Sequence, residues 1–322
     1  MGTITISFRQ FTEAARESFE EAKSLTGGKN ASYIPFLANV NPDLLGFSIT
    51  LSDGRRLDFG DSDYIFGVES ISKVLTAILV MKESGVGEVL KMIGADATGL
   101  PFNSILAILL ENDCPSTPLV NAGAISACSM VSPKGDREGK WNNILSNFTE
   151  LLGEQPKVLP ELYESESATN FNNRSIAWLL KNYHRIYDDP DMSLDLYTRQ
   201  CSIGVTSRQL SVCAATIASG GLNPVTGMHL FSKDIASKIN SLIATVGFYQ
   251  TTGDWMYQTG IPAKSGVGGG IMAIIPGVMG ISTFSPPLDI AGNSVRGQAI
   301  ISSFASKLGL GIFNGDLLRI SD

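Results

Sequence analysis

Apolar residues at Phe8, Phe11, Ala15, Phe19 and Ala22 return at three- and four-residue steps, which lines one face of an amphipathic helix. Gly27-Gly28 stops that helix. The period then shortens. Phe47, Ile49 and Leu51 alternate with polar residues, Ser52-Asp53-Gly54 supplies a turn, and Leu57 and Phe59 continue the alternation. That pattern predicts a β-hairpin. From about Ser70 to Tyr249 the pattern is almost wholly helical, in segments 70–84, 103–111, 121–131, 141–152, 173–184, 206–219 and 233–245. Gly, Pro and Asn separate them. Strands return at Lys264-Ser265-Gly266 and from Gly270 to Ile275; Pro276-Gly277 turns the chain, and Val278 to Phe284 runs back. A last helix is expected over about 296–308.

Strand material therefore sits at both ends of the chain, with a helical block between. The economical arrangement is one antiparallel sheet built from both ends, covered by terminal helices, with an all-helical lobe inserted. The fold class expected is α+β, an α/β sandwich plus a helical lobe, forming a single domain over 1–322. Its α/β lobe takes about 1–66 and 255–322, and its helical lobe about 67–254. A site between the lobes would draw residues from distant positions.

Composition prunes the chemistry. The 322 residues are 43% apolar and 17% charged, which excludes a disordered chain. A formal charge of −7 repels polyanions, so no nucleic-acid or membrane partner is expected. Sparse charge together with 33 glycines points to much buried surface, an oligomer interface included. The two histidines, His184 and His229, lie beside no Ser or Cys motif, which argues against a His-activated nucleophile and a His-rich zinc site. Cys114, Cys128, Cys201 and Cys213 form no C-x-x-C and read as free buried thiols. The first residues show no basic segment followed by an apolar one, and the runs Ile105 to Leu110 and Ile271 to Ile281 fall short of the ~20 residues that cross a bilayer. A cytoplasmic location is expected.

The sharpest motif is Ser70-Ile71-Ser72-Lys73, at the start of a helix whose face is Val74, Ala77, Ile78 and Met81. Positions three apart face the same way, so the Lys73 ammonium is expected within reach of Ser70 Oγ. A lysine whose pKa burial has lowered can take a serine proton. The helix start also offers a free backbone N–H and a positive dipole end where an oxyanion forms. A capping serine followed by a solvated lysine gives the same four letters. Lys264-Ser265-Gly266 changes that balance. In serine acyl-transfer enzymes with Ser-x-x-Lys, a Lys-Thr/Ser-Gly strand lines the opposite wall of the cleft. Its Val267 N–H is suited to be a second oxyanion donor, and Gly268, Gly269 and Gly270 let substrate approach the main chain. Ala263 before the lysine excludes a Walker loop. Both motifs, in this order, resemble a β-lactamase or DD-peptidase-like fold.

Between them stands Pro118-Leu119-Val120-Asn121-Ala122-Gly123-Ala124-Ile125, where penicillin-binding enzymes have Ser-x-Asn. With Tyr33-Ile34-Pro35, Gly60-Asp61, Phe102-Asn103-Ser104, Ser165-Glu166, Asn173, Gln200-Cys201-Ser202, Pro262 to Val267 and Ser285-Pro286-Pro287-Leu288-Asp289, the chain resembles the serine-dependent glutaminases over about residues 30 to 310. The resemblance implies hydrolysis of L-glutamine to L-glutamate and ammonia through a γ-glutamyl-serine ester. It implies Ser70 as nucleophile, Lys73 as its activating partner, and Tyr197 and Tyr249 as active-site tyrosines. Tyr33, Asn121, Glu166 and Asn173 match the residues that hold the amino-acid head group, and the N–H groups of Ser70 and Val267 would face the oxyanion. No metal or cofactor is expected, and a homo-oligomer, dimer or tetramer, is.

These types suit the roles. An α-ammonium needs an anion such as Glu166, and an α-carboxylate needs donors such as Asn121, Asn173 and tyrosine hydroxyls. Taken singly, such tyrosines pack in cores, such asparagines cap helices and such a glutamate is solvated. Two positions depart from the family. Many relatives have Gln before the nucleophile, where this chain has Glu69, and Arg-Asn where it has Asn172-Asn173. A carboxylate at 69 can pair with Lys73, favour the helix N-terminus, or alter the contact with the substrate ammonium. Two rivals stand beside this reading: a penicillin-interacting hydrolase of the same fold, and a non-catalytic module that senses glutamine or binds a protein. The Asn-Ala-Gly-Ala segment argues against the first, and the intact Ser70, Lys73 and Lys264 set against the second.

Overall fold

A computed structural model describes residues 3–111, 113–314 and 317–322. Strand β1 (Thr3–Ser7) leads into the helix Phe8–Lys23, which Ser7 caps from its side chain to the Gln10 N–H while Gln10 returns the bond. Its buried face carries Phe11, Ala15, Phe19 and Ala22, four of the five positions the spacing predicts, while Phe8 at the helix start is only half-buried. The expected hairpin forms as β2 (Gly46–Leu51) and β3 (Arg56–Gly60). Short strands β4 (Phe66–Gly67), β5 (Lys157–Val158) and β6 (Ile203–Val205) follow, then β7 (Ala263–Ser265), β8 (Gly270–Ile275), β9 (Met279–Phe284) and β10 (Leu317–Ser321).

The main sheet has the order β3-β2-β9-β8-β7 and is antiparallel throughout. β2 pairs with β9 from Gly46 opposite Phe284 to Leu51 opposite Met279, so the two ends of the chain do build one sheet. Phe47, Ile49 and Leu51 of β2, with Ile271, Ala273 and Ile281, meet the helices Phe8–Lys23 and Val295–Leu308 through Phe11, Phe19, Ile300 and Phe304. On the opposite face, Ser48 and Thr50 do not meet solvent. Ser48 Oγ lies 3.2 Å from Ser207 Oγ, and Thr50 Oγ1 lies 2.8 Å from Ser211 Oγ, both on the helix Ser207–Ala218. Alternation alone implied a half-exposed hairpin, but β2 is buried at every position.

The inserted block differs from an all-helical one. β4, β6 and β5 make a three-stranded antiparallel sheet inside it, too short to show a period of two. Helices also form over Pro160–Thr169 and Pro190–Cys201, where the pattern shows only proline breaks. Proline at the first helical position is a start signal, because its missing N–H would be unpaired there in any case. Asp189 caps the second of these, accepting from the Met192 N–H at 2.7 Å. The parallel pair of β1 with β10 was not anticipated either. What positions the site is the junction. The helix Ser72–Ser84 runs through the helical core, and the turn before it, Glu69–Ile71, abuts the edge strand β7.

Candidate active site

Ser70 is buried and sits in the middle of the 3-10 turn Glu69–Ile71, not on the α-helix, which begins at Ser72. Glu69 has φ +50°, a left-handed backbone that side chains seldom adopt and that recurs where function imposes strain. Ile71 and Ser72 are helical, so the turn runs straight into the helix and the three-residue spacing keeps Ser70 and Lys73 on one side. The Lys73 ammonium donates to Asn121 Oδ1 at 2.6 Å. Asn121 opens the helix Asn121–Met130 on the facing wall. The Tyr197 hydroxyl donates to the same oxygen at 3.1 Å, and Asn121 Nδ2 donates to Asn173 Oδ1 at 2.8 Å. Asn121 thus binds Lys73, Tyr197 and Asn173 into one network drawn from four helices.

Burial sets the electrostatics. Lys73 is 1% exposed, and desolvation brings its pKa down to about 8, against the opposing pull of Cys201, Glu69 and Glu166. Its Nζ lies 5.6 Å from the Phe102 ring centre and 5.8 Å from that of Tyr197. Burial holds the Tyr197 phenol well above its usual range. Tyr249 is also raised by burial, with the Ser70 hydroxyl beside it pulling the other way. Both tyrosines therefore carry their protons, and the Lys73 amine comes down toward neutrality.

The opposite wall is β7. Lys264 is fully buried, and desolvation followed by the nearby Lys73 charge drives its pKa well below the lysine range. Its Nζ lies 4.1 Å from the Tyr249 ring centre and donates to the Ser265 carbonyl at 2.6 Å. Tyr249 OH donates to that same carbonyl at 3.2 Å. Ser265 Oγ is 2.6 Å from Asn293 Oδ1, and Asn293 Nδ2 donates to Thr251 Oγ1 at 3.1 Å. This loop of contacts closes on the turn Tyr249–Thr251, in which Tyr249 itself has φ +54°. Phe102 packs on Tyr249 with ring centres 4.5 Å apart. Phe102, Ser265 and Asn293 had no assigned role in the sequence. Phe102 and Ser265 fall inside recognised motifs, whereas nothing local marks Asn293.

Beyond β7 the chain passes Ser70 closely: a Cβ built on Gly266 would lie 3.4 Å from the Ser70 nitrogen. Among the described residues neither the Ser70 nor the Val267 backbone N–H has an acceptor, which is how an oxyanion site looks before charge develops. A cleft of about 910 Å³ opens beside them, lined by Tyr33, Asn121, Glu166, Asn173 and Val267 among others. Tyr33 stands at its mouth and is 59% exposed. Asn172 also lines it and ties the two rims by donating to the Asn103 carbonyl at 2.8 Å. Glu69 is 4% exposed and lies beside Glu166, with each Oε1 buried and unpartnered. Burial and the adjacent Glu166 carboxylate push Glu69 well above the usual carboxyl range, and burial raises Glu166 as well.

Comparison with known proteins gives a consistent result. The family model described as Glutaminase matches residues 28–313. A glutaminase from Bacteroides fragilis is 61% identical over 317 residues, which cover 98% of this chain and 99% of the relative. A glutaminase from Brucella canis is 46% identical over 306 residues, 94% of this chain and 96% of the relative. Among solved structures, the one described as probable glutaminase ybaS is similar with a TM-score of 0.94 at 45% identity, covering 96% of this chain and 100% of that one. A probable glutaminase from Bacillus subtilis, complexed with 6-diazo-5-oxo-L-norleucine, is similar with a TM-score of 0.83 at 29% identity, covering 95% of this chain and 96% of that one.

Proposed function

The chain belongs to the glutaminase family, and from that premise we propose that it hydrolyses the side-chain amide of L-glutamine to L-glutamate and ammonia through an ester on Ser70. The observation that carries the mechanism is the grouping of a buried serine, two free backbone N–H groups and a lysine brought down to about 8 behind a cleft that Asn121 and Val267 line. Lys73 takes the proton as Ser70 Oγ attacks the carboxamide carbon. The N–H groups of Ser70 and Val267 hold the oxyanion. Tyr249, protonated and next to Ser70, donates to the departing ammonia. Water then attacks the ester, with the same groups acting in reverse, and glutamate leaves.

The head group has its partners in the cleft lining. Asn173 and Asn121 amides and the Tyr33 hydroxyl are donors for the α-carboxylate, and Glu166 is the anion for the α-ammonium. The ligand named for the Bacillus subtilis relative is an α-amino acid with its oxo group at carbon 5, the position of the glutamine carboxamide carbon. Among the described residues no helix is long and apolar enough to cross a membrane. Residence in the cytoplasm and assembly into a dimer or tetramer belong to the same proposal. The second is supported by exposed apolar side chains at Leu110, Phe171 and Trp178, and sedimentation of the purified chain tests it.

The deciding experiment is stoichiometric. Purified chain given L-glutamine should release ammonia and glutamate in equal amounts, with D-glutamine and L-asparagine turned over far more slowly. Ser70→Ala should lose activity by at least about a thousandfold. Activity surviving in Ser70→Ala would sink the serine ester, and an inert, folded wild type would remove the enzymatic reading.

A further inference from the structure

Glu69 does more than replace a neutral side chain. Its carboxyl group fits a slot made by glycines from two segments: a Cβ on Gly67 would lie 3.3 Å from Glu69 Oε1, one on Gly266 3.3 Å from Glu69 Cβ, and one on Gly268 3.3 Å from Glu69 Cγ. Carboxylate oxygens of Glu69 and Glu166 and the Cys201 sulfur all lie within 4.8 Å of one another. Two like charges at that separation, one of them buried and the other partly so, are strongly unfavourable, whereas one proton between them gives a charge-assisted contact. The unpartnered Oε1 atoms of both residues are left without a donor. An ammonium group, with its three N–H donors, is the ligand that such a pair lacks.

We propose that Glu69 and Glu166 form a two-carboxyl seat for the α-ammonium of the substrate, which holds one shared proton while empty and releases it when the ammonium arrives. The proposal rests on the L-glutamine reading above. The proton leaves to solvent, and the bound cation takes its place as the charge between the two carboxylates. Several other groups face the pair. Lys73 approaches from the helix Ser72–Ser84, Tyr197 and Cys201 from the helix Pro190–Cys201, Tyr249 from the turn Tyr249–Thr251 and Tyr33 from the loop before Pro35. Burial raises the Tyr197 and Tyr249 phenols and the Cys201 thiol, which stay protonated, so the competing sources of released protons are the amines of Lys73 and of Lys264 beside it.

Sign follows from linkage. If binding releases a proton, binding tightens as pH rises, so KM for L-glutamine should fall with pH across the range in which the pair titrates. The direct test is calorimetry of L-glutamine binding to Ser70→Ala at pH 7 in buffers of different ionisation enthalpy. Binding should release protons, up to about one per glutamine from the pair. In Ser70→Ala/Glu69→Gln, only the smaller contribution of Lys73 and Lys264 should remain. Equal release in the two proteins, or none in either, overturns the proposal. Should the double variant fail to fold, a wild-type KM that is flat or rises with pH overturns it equally. Absence of any saturable heat from L-glutamine with folded Ser70→Ala is a different outcome, and it would remove the substrate reading itself.

Discussion

Lys73 shows what a single residue inherits from its surroundings. An exposed lysine is charged at pH 7 and cannot act as a base; here burial brings the amine to about 8 while the Asn121 oxygen, 2.6 Å away, still satisfies its charged form. Its proton-free form appears only as pH rises through about 8, so kcat/KM should climb across that interval. Lys73→Arg keeps the charge at all these pH values and should lose about a thousandfold in kcat. Asn121→Asp places a carboxylate beside the amine, which raises its pKa and should move the rising limb to higher pH. A pH–rate profile of the three proteins checks all of this, and an unmoved limb in Asn121→Asp would deny Lys73 the role. Ser70 and Lys73 were legible because their motif is contiguous. That Lys73 answers to Asn121 was not, since the partner lies far along the chain and the intervening 3-10 turn has no sequence signature. Glu69 was legible as a departure, but its slot comes from Gly266 and Gly268, which become its neighbours only in three dimensions.

At the scale of elements, a strand's two faces can both be interior for different reasons. One face of β2 is apolar and the other carries Ser48 and Thr50, and the polar face is covered by a helix that offers Ser207 and Ser211 in return. Hydroxyl pairs and small side chains let that helix lie close on the sheet. Gly280 of β9 sets the limit, because a Cβ there would press into the Ala215 nitrogen and the Ser211 carbonyl. Gly280→Val should therefore destabilise the protein by about 3 kcal/mol or more, with no change in the groups that touch substrate. Gly87 stands in the helix Val86–Met92 with open space where a Cβ would go. Gly87→Ala should be neutral or stabilising by up to about 1 kcal/mol. Thermal melts of the pair separate the packing account from a general intolerance of glycine replacement: equal midpoints would refute it. Long periodic helices were legible for the same reason that this packing was not. Periodicity reports which face is apolar, whereas a serine facing a serine reads as two solvated positions.

For the whole molecule, two apolar cores meet at one sheet. Phe47, Ile49 and Ile271 belong to the core under the terminal helices, while Met272, Ile274 and Phe284, on the other face of the same strands, belong to the core of the helical block. The helical block is an insertion by sequence, yet β8 and β9 serve both cores, and the turn Glu69–Ile71, which carries Ser70, lies where they join. Neither core can lose its packing without stripping one face of those strands, so the chain should unfold in a single step despite a length at which separate units are common. Two tryptophans report on the two sides. Trp141 is buried in the helical core, and Trp255 is stacked on Phe248, ring centres 4.3 Å apart, in the other. With Trp178 replaced by phenylalanine, Trp141→Phe and Trp255→Phe each leave one buried reporter. In each variant the guanidinium transition seen by fluorescence should coincide with that seen by far-ultraviolet circular dichroism. A reporter that changes at a lower denaturant concentration than the backbone signal would show one lobe opening alone, and a site assembled from both lobes would then be lost before the protein as a whole unfolds.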